Sequence, residues 1–296
     1  MGADLHCHTR LSDGSMGIDD LIILAKNRGI NKIAITDHDC QAASTRGKLI
    51  GERHGVTVYH GVELSATDSK RNKKVHILGY LCDVPERLEG LCKRNLEARK
   101  RAAHHMILRV AQRYPTTAEL ILKCATGSTN IYKQHIMHAL MECGLTNQIY
   151  GPLYEELFSP DSSDNVIVNA KFPEPTEIID AIHEAGGIAV LAHPDMFDSY
   201  DLIDELIEHG LDGIEVWHPS CDEECQSRLK AIAEEHGLLM TGGSDFHGMY
   251  TKSSASLGDI TTPPDQLRKL LTYKSRKRRA EQAAAAAVEE ETVATK

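Results

Sequence analysis

Two histidine-bearing segments bracket most of the chain, Asp4-Leu5-His6-Cys7-His8 near its start and Gly243-Ser244-Asp245-Phe246-His247 towards its end. Between them stand Asp13, Thr36-Asp37-His38-Asp39, Glu63, His76 and His193. Imidazole nitrogen and carboxylate oxygen suit zinc, manganese or iron, and this many donors can hold more than one ion. Most of them fall at or beside the end of an apolar run that reads as a β-strand. A metal centre assembled across a sheet draws one or two donors from each strand end, so the pattern points to an enzyme rather than a binding module.

Each position has its own physical reason. His6 and His8 alternate in an extended segment and can face one region, while Cys7 points away as a buried thiol. Asp13 follows in a turn and reaches the same opening from another angle; a turn or capping role is the plainer alternative. His38 ends an apolar strand, and its neighbours Asp37 and Asp39 suit the orientation of ligands or bound water. Glu63 follows the strand Val56 to Tyr59 and can bridge two ions through separate oxygens. His76 lies within Val75-His76-Ile77-Leu78, where an uncompensated polar group is costly. His193 follows Ile188 to Ala192, and Asp245 and His247 sit in a glycine-rich turn that permits close approach to ions or phosphate. Asp13, His38, Glu63, His193, Asp245 and His247 are the residues expected to act in catalysis.

The elements that must position these groups alternate. Strands are expected at Ala3 to Leu5, Lys32 to Thr36, Val56 to Tyr59, Val75 to Leu78, Ile188 to Ala192, Gly213 to Val216 and Leu238 to Thr241. Helical spacing covers Ile18 to Asn27, Ala42 to His54, Leu202 to Glu208 and Cys225 to Glu235. Between Val84 and Lys171 the rhythm becomes helical, through Leu88 to Ala111, Ala118 to Cys124 and Ile131 to Cys143. These readings give an α/β core, residues 1–83 and 172–270, with an inserted helical cap over residues 84–171. Donors recurring after many separate strands favour a barrel over an open sheet. Residues 271–296 read as a basic, alanine-rich tail, with terminal helix expected at Ala283 to Ala287.

A chain of 296 residues that is 41% hydrophobic can bury an ordinary core. Its net charge of −10 gives no general attraction to nucleic acid, so no stable duplex partner is expected, although a local phosphate pocket remains open. Eight cysteines are too sparse for a secreted disulfide scaffold, and reduced cytoplasmic thiols are expected. No apolar run approaches the roughly 18 residues of a membrane span.

The ordered set resembles the polymerase and histidinol phosphatase (PHP) superfamily of metal-dependent phosphoesterases. The matching features are Asp4-Leu5-His6-Cys7-His8-Thr9 with Ser12-Asp13-Gly14, Ile35-Thr36-Asp37-His38-Asp39, Glu63, His76-Ile77-Leu78-Gly79-Tyr80, Ala192-His193-Pro194 and Gly242-Gly243-Ser244-Asp245-Phe246-His247-Gly248. The resemblance implies a distorted (β/α)7 barrel with up to three divalent ions, manganese, zinc or iron. It implies one site from His6, His8, Glu63 and Asp245, a neighbour from Glu63, His76 and His193, and a third from Asp13, His38 and His247. Hydrolysis of a phosphate monoester is the implied reaction, with the ions lowering the pKa of a bound water and neutralising phosphoryl charge.

Within the superfamily the chain looks most like bacterial small-nucleotide phosphoesterases. That branch implies a nucleoside monophosphate or 3′,5′-nucleoside bisphosphate as substrate, with histidinol phosphate or a short oligonucleotide as alternatives. The branch often carries Arg-Pro-His where this chain has Lys133-Gln134-His135. Arg99, Lys133, His135 and His218 are the expected substrate contacts. A noncatalytic metal- and nucleotide-binding module is the reading from a different class, and the complete donor set weighs against it.

Overall fold

In the computed structural model, which describes residues 2–294, the short apolar runs become strands that follow one another around a single sheet. In chain order the elements are β1 (Asp4–Cys7), α1 (Ile18–Asn27), β2 (Lys32–Ile35), α2 (Ala43–His54), β3 (Thr57–Asp68) and β4 (Lys73–Tyr80). Four helices follow: α3 (Glu89–Arg113), α4 (Ala118–Cys124), α5 (Lys133–Glu142) and α6 (Pro152–Phe158). The alternation then resumes with α7 (Pro175–Glu184), β5 (Ile188–Leu191), α8 (Ile203–Glu208), β6 (Gly213–Trp217), α9 (Glu223–Glu235), β7 (Leu239–Gly242) and α10 (Pro264–Ala294).

Neighbours in the sheet run β1 through β7 in sequence order. All pairs are parallel except those made by β4, which is antiparallel to both β3 and β5. The sheet curls until its ends meet, and His8 N donates to Phe246 O at 2.9 Å. Gly243 permits that approach, since a Cβ there would overlap His6. The result is the expected α/β architecture, a curled and distorted seven-stranded half-barrel with inserted helices.

The largest departure from the sequence reading is β3. It runs through Asp68 and folds back on β4 as a hairpin, so Glu63 sits inside a strand rather than after one. Val62, Leu64 and Ala66 enter the main apolar core beneath α7, α8 and α9. The alternate residues Glu63 and Ser65 face the other way, where imidazoles and Asp39 receive them.

Helices α3 to α6 bury their own cluster, including Ala103, Met106, Val110, Ile121, Ile136, Leu140 and Phe158. Helix α6 opens on Pro152, since proline in the first turn of a helix costs no hydrogen bond. Helix α10 docks beyond the point where the sequence suggests a tail. Leu267 and Leu270 enter the core, Tyr273 Oη donates to Asp212 Oδ1 at 2.7 Å, and Lys274 pairs with Asp83 at 2.6 Å. The expected terminal helix lies within α10, while residues 295–296 of the tail lie outside the described residues.

Cys221 and Cys225 form a disulfide, which corrects the expectation of reduced thiols for this pair. Cys221 precedes α9 and Cys225 lies in its first turn, with Cα atoms 5.3 Å apart, inside the range a disulfide spans. The other six cysteines are free. No described helix is long and apolar enough to cross a membrane.

Candidate metal centre

Six of the seven strands deliver donors to one mouth of the curled sheet. His6 and His8 come from β1 and its exit, fully buried beneath the mouth. His38 follows β2, Glu63 and His76 come from β3 and β4, His193 follows β5, and Asp245 and His247 follow β7. Asp13 arrives from the turn after β1. Asp39, His193 and Asp245 hold positive φ values of 51°, 27° and 49°, a region that non-glycine residues rarely occupy, so the packing around the mouth holds strained backbone.

Glu63 is central. Its Oε2 lies 3.3 Å from His6 Nε2, 3.2 Å from His8 Nε2 and 3.1 Å from His38 Nδ1. Its Oε1 lies 2.6 Å from His76 Nδ1 and 2.9 Å from His193 Nε2. Asp245 Oδ1 approaches the same two buried imidazoles, at 3.4 Å from His6 Nε2 and 3.3 Å from His8 Nε2. On the far side His247 Nε2 lies 3.2 Å and His8 Nδ1 3.6 Å from Asp13 Oδ1, while His38 Nε2 lies 3.7 Å from Asp13 Oδ2. Among the described residues, four groups of donor atoms, each within 4.8 Å of one another, therefore could hold ions: His8, Asp13, His38, His247; His6, Glu63, His193; His6, His8, Asp245; and His38, Glu63, His76.

The donors fit divalent ions better than they fit each other. His8 Nε2, His38 Nδ1, Asp13 Oδ1 and His218 Nε2 are buried near oppositely charged atoms and yet make no hydrogen bond among the described residues. Their lone pairs converge on shared points rather than on partners. With metal–donor bonds of roughly 2.0–2.2 Å, adjacent donors sit roughly 3–3.5 Å apart, which is the spacing around Glu63 Oε2 and Asp245 Oδ1. Burial would lower His6 and His8, but carboxylates outweigh it, raising His6 well above the ordinary histidine value and His8 to about 10. Against a burial effect of opposite sign, the imidazoles around them hold Glu63, Asp13 and Asp245 well below the ordinary carboxylate range. Such a site draws cations, protons among them, so metal and proton compete for it.

A further layer orients the donors. Glu215 accepts from His6 Nδ1 at 3.0 Å and from His193 N at 2.9 Å, which leaves His6 Nε2 to face the centre. Asp37 accepts from Thr9 and Ser12, and Asp39 from Ser65, Asn95 and Arg99. Asp4 pins the end of β7 by accepting from Ser244 N and Oγ at 2.9 and 2.6 Å. Glu215 went unnamed as a site residue in the sequence reading. The signal was present, since an acidic residue inside Gly213-Ile214-Glu215-Val216 faces the same cost as His76.

Above the cluster opens a cavity of about 400 Å³, walled by Asp13, His38, Glu63, His76, His193, Asp245 and His247 on one side. Its other side carries Lys74, Arg99, Lys133, Lys252 and several aromatic rings; Arg99, Lys133, Tyr132, Tyr150, Tyr154 and Phe172 come from the inserted segment or its edge. Arg99 is fixed by Asp39 at 3.0 Å and Ser65 Oγ at 2.6 Å and lies over the rings of Tyr132 and Phe172. Burial, then the nearby Lys74 and Lys252, lowers the Lys133 ammonium to about 8.

Of the expected substrate contacts, Arg99 and Lys133 line this cavity and two do not. His135 is 1% exposed, accepts from Tyr132 N at 3.1 Å and packs against Tyr250. It is occupied at the start of α5, and burial lowers it to about 4. His218 is 2% exposed, with Nε2 3.3 Å from Asp245 Oδ2, behind the cluster rather than on the rim. Lys74, Tyr132, Gln134 and Lys252 line the cavity without having been expected, because on sequence alone they look like helix, strand or loop surface.

Comparison with known proteins converges on one family. The PHP domain family matches residues 4–187. A phosphoribosyl 1,2-cyclic phosphate 1,2-diphosphodiesterase from Eggerthella lenta is 37% identical over 83% of this chain and 94% of its own. A 3′,5′-nucleoside bisphosphate phosphatase from Chromobacterium violaceum is 29% identical over 82% of this chain and 86% of its own. Among solved structures, a protein from Bifidobacterium adolescentis classed with the metal-dependent phosphoesterases superposes with a TM-score of 0.83 at 32% identity, covering 92% of this chain and 96% of that one.

Proposed function

This chain belongs to the PHP domain family and is a metal-dependent phosphoesterase acting on a small phosphorylated substrate; we propose that the substrate is a ribose phosphate carrying a second phosphate. The observation that carries this reading is one cavity with a carboxylate–imidazole cluster on one side and Lys74, Arg99, Lys133 and Lys252 on the other. A volume of about 400 Å³ suits a small molecule. Two anionic groups on one ribose match one wall that would hold cations and one wall that is itself cationic. Phosphoribosyl 1,2-cyclic phosphate has that form, and the relative from Eggerthella lenta supports it.

In this reading His6, His8, Asp13, His38, Glu63, His76, His193, Asp245 and His247 hold the ions. Bound divalent ions supply Lewis-acid charge neutralisation and a water of lowered pKa. The chain's own contribution is placement. Glu63 offers each oxygen to a different group of imidazoles, and Glu215 fixes the His6 tautomer. Arg99, with Asp39 as its anchor, sits ready for phosphoryl oxygen as a planar fork. Hydrolysis forms a bond from water oxygen to phosphorus and breaks the bond to the ribose oxygen, which leaves carrying a proton.

A 3′,5′-nucleoside bisphosphate is the second reading, favoured by the rings of Tyr150, Tyr154, Phe172 and Phe197 in the same cavity, which offer stacking faces to a base. Phosphate release or ring opening should be measured on phosphoribosyl 1,2-cyclic phosphate, 3′,5′-bisphosphoadenosine, AMP, histidinol phosphate and a short RNA. Each is to be tested with Mn²⁺, Mg²⁺ and Zn²⁺. Preference for the first substrate supports the proposal, and preference for the second moves it to nucleotides. Preference for a substrate with a single phosphate contradicts both.

A further inference from the structure

Tyr132 precedes α5, is 6% exposed, and lines the cavity. Its hydroxyl is buried and has no hydrogen-bond partner among the described residues. Its ring lies nearly parallel to His38, at 20° with centroids 6.0 Å apart, so the phenol stands beside the metal cluster. The Arg99 guanidinium covers the same ring at 4.8 Å from its centroid. Arg99 spends Nη2 on Asp39 and Ser65, while its Nε is buried without a partner. Buried polar groups are nearly always paired, so two orphan donors in one cavity wall call for a ligand with oxygen acceptors.

We propose that the Tyr132 hydroxyl, with Arg99 Nε beside it, donates a hydrogen bond to a nonbridging oxygen of the phosphoryl group held over the cluster. This inference rests on the phosphoesterase reading and assigns that site a further substrate-binding residue. The role is donation and not proton transfer. A phenol ordinarily keeps its proton at neutral pH, so the leaving oxygen acquires one from elsewhere.

Tyr132→Phe keeps the ring against His38 and Arg99 and deletes only the hydroxyl. The test is calorimetric binding of inorganic phosphate to the metal-loaded full chain, wild type against variant, with the thermal midpoint of each measured in the absence of phosphate. Phosphate affinity should fall about tenfold or more, as expected for a hydrogen bond to a charged oxygen. The midpoint should hold or rise, because the hydroxyl has no partner to lose. Unchanged phosphate affinity overturns the proposal, and so does a lowered midpoint with affinity intact, which marks a purely structural tyrosine. Phosphate binding needs no turnover, so loss of affinity in a protein that cleaves none of the esters keeps the donor assignment and removes only the reaction.

Discussion

The strand-end floor of the cavity and its largely helical wall are unbalanced in opposite senses. On the floor, nine histidines and carboxylates crowd together with contacts of 2.6 to 3.7 Å, several of their atoms buried without hydrogen bonds. On the wall, Lys74 and Lys252 both repel the Lys133 ammonium, and Tyr132 and Arg99 keep donors without a partner among the described residues. The floor is short of cations and the wall is short of an anion. Under the proposed reading a small polyanionic ester with divalent ions supplies both deficits, which makes the two regions complementary halves of one site.

The comparison breaks most sharply at Glu63. Glu63→Gln removes the charge that joins the imidazole groups, and loss of several kcal/mol of charge stabilisation should lower kcat/KM on the order of 10³-fold or more. Elemental analysis of the purified variant should show reduced metal content, and activity within tenfold of wild type would contradict the role. Next comes Glu215→Gln, which touches no ion directly but loosens the His6 tautomer. Metal affinity, read by competition with a coloured chelator, should weaken by about 10- to 100-fold.

The wall responds to pH. Lys133 is lowered to about 8, so its ammonium form predominates below that value and is lost as pH rises through it. KM for a doubly phosphorylated substrate should therefore climb a few-fold above pH 8. Lys133→Arg should flatten the climb because guanidinium stays charged. A KM that stays level from pH 7 to 9 in the wild type would remove Lys133 from substrate binding. The smallest effect belongs to Gln134, whose Nε2 reaches Asp13 Oδ2 at 3.2 Å from α5. Gln134→Ala should cost about fivefold or less in kcat, the worth of one modest hydrogen bond.

The two halves were also unequally legible in the sequence. A histidine or carboxylate at an apolar strand end is conspicuous because burying it unpaired is costly, and that rule leads to His6, His38, His76 and His193. The strand alternation and the helix periods likewise follow from residue type, which is why the core elements stand close to where they are expected. The wall is different. Lys74, Tyr132 and Lys252 look like surface until a hairpin, a cap segment and a loop bring them together from distant parts of the chain. His135 shows the converse error, since a motif position promised a substrate contact and local hydrogen bonding took it for the start of α5. Residue chemistry reports a metal floor because each ligand is costly on its own, whereas a recognition wall is visible only after folding.

The most direct test of the account compares kcat/KM of the metal-loaded wild type for phosphoribosyl 1,2-cyclic phosphate with that for ribose 1,2-cyclic phosphate, which presents the same reacting ester without the second phosphate. A wall built for an anion predicts that the second phosphate raises kcat/KM by about 10- to 100-fold, the worth of a charge-assisted contact, and that Lys133→Ala removes much of that gain. Equal values for the two esters would contradict the pairing of floor and wall and leave the cavity's cations without a substrate role.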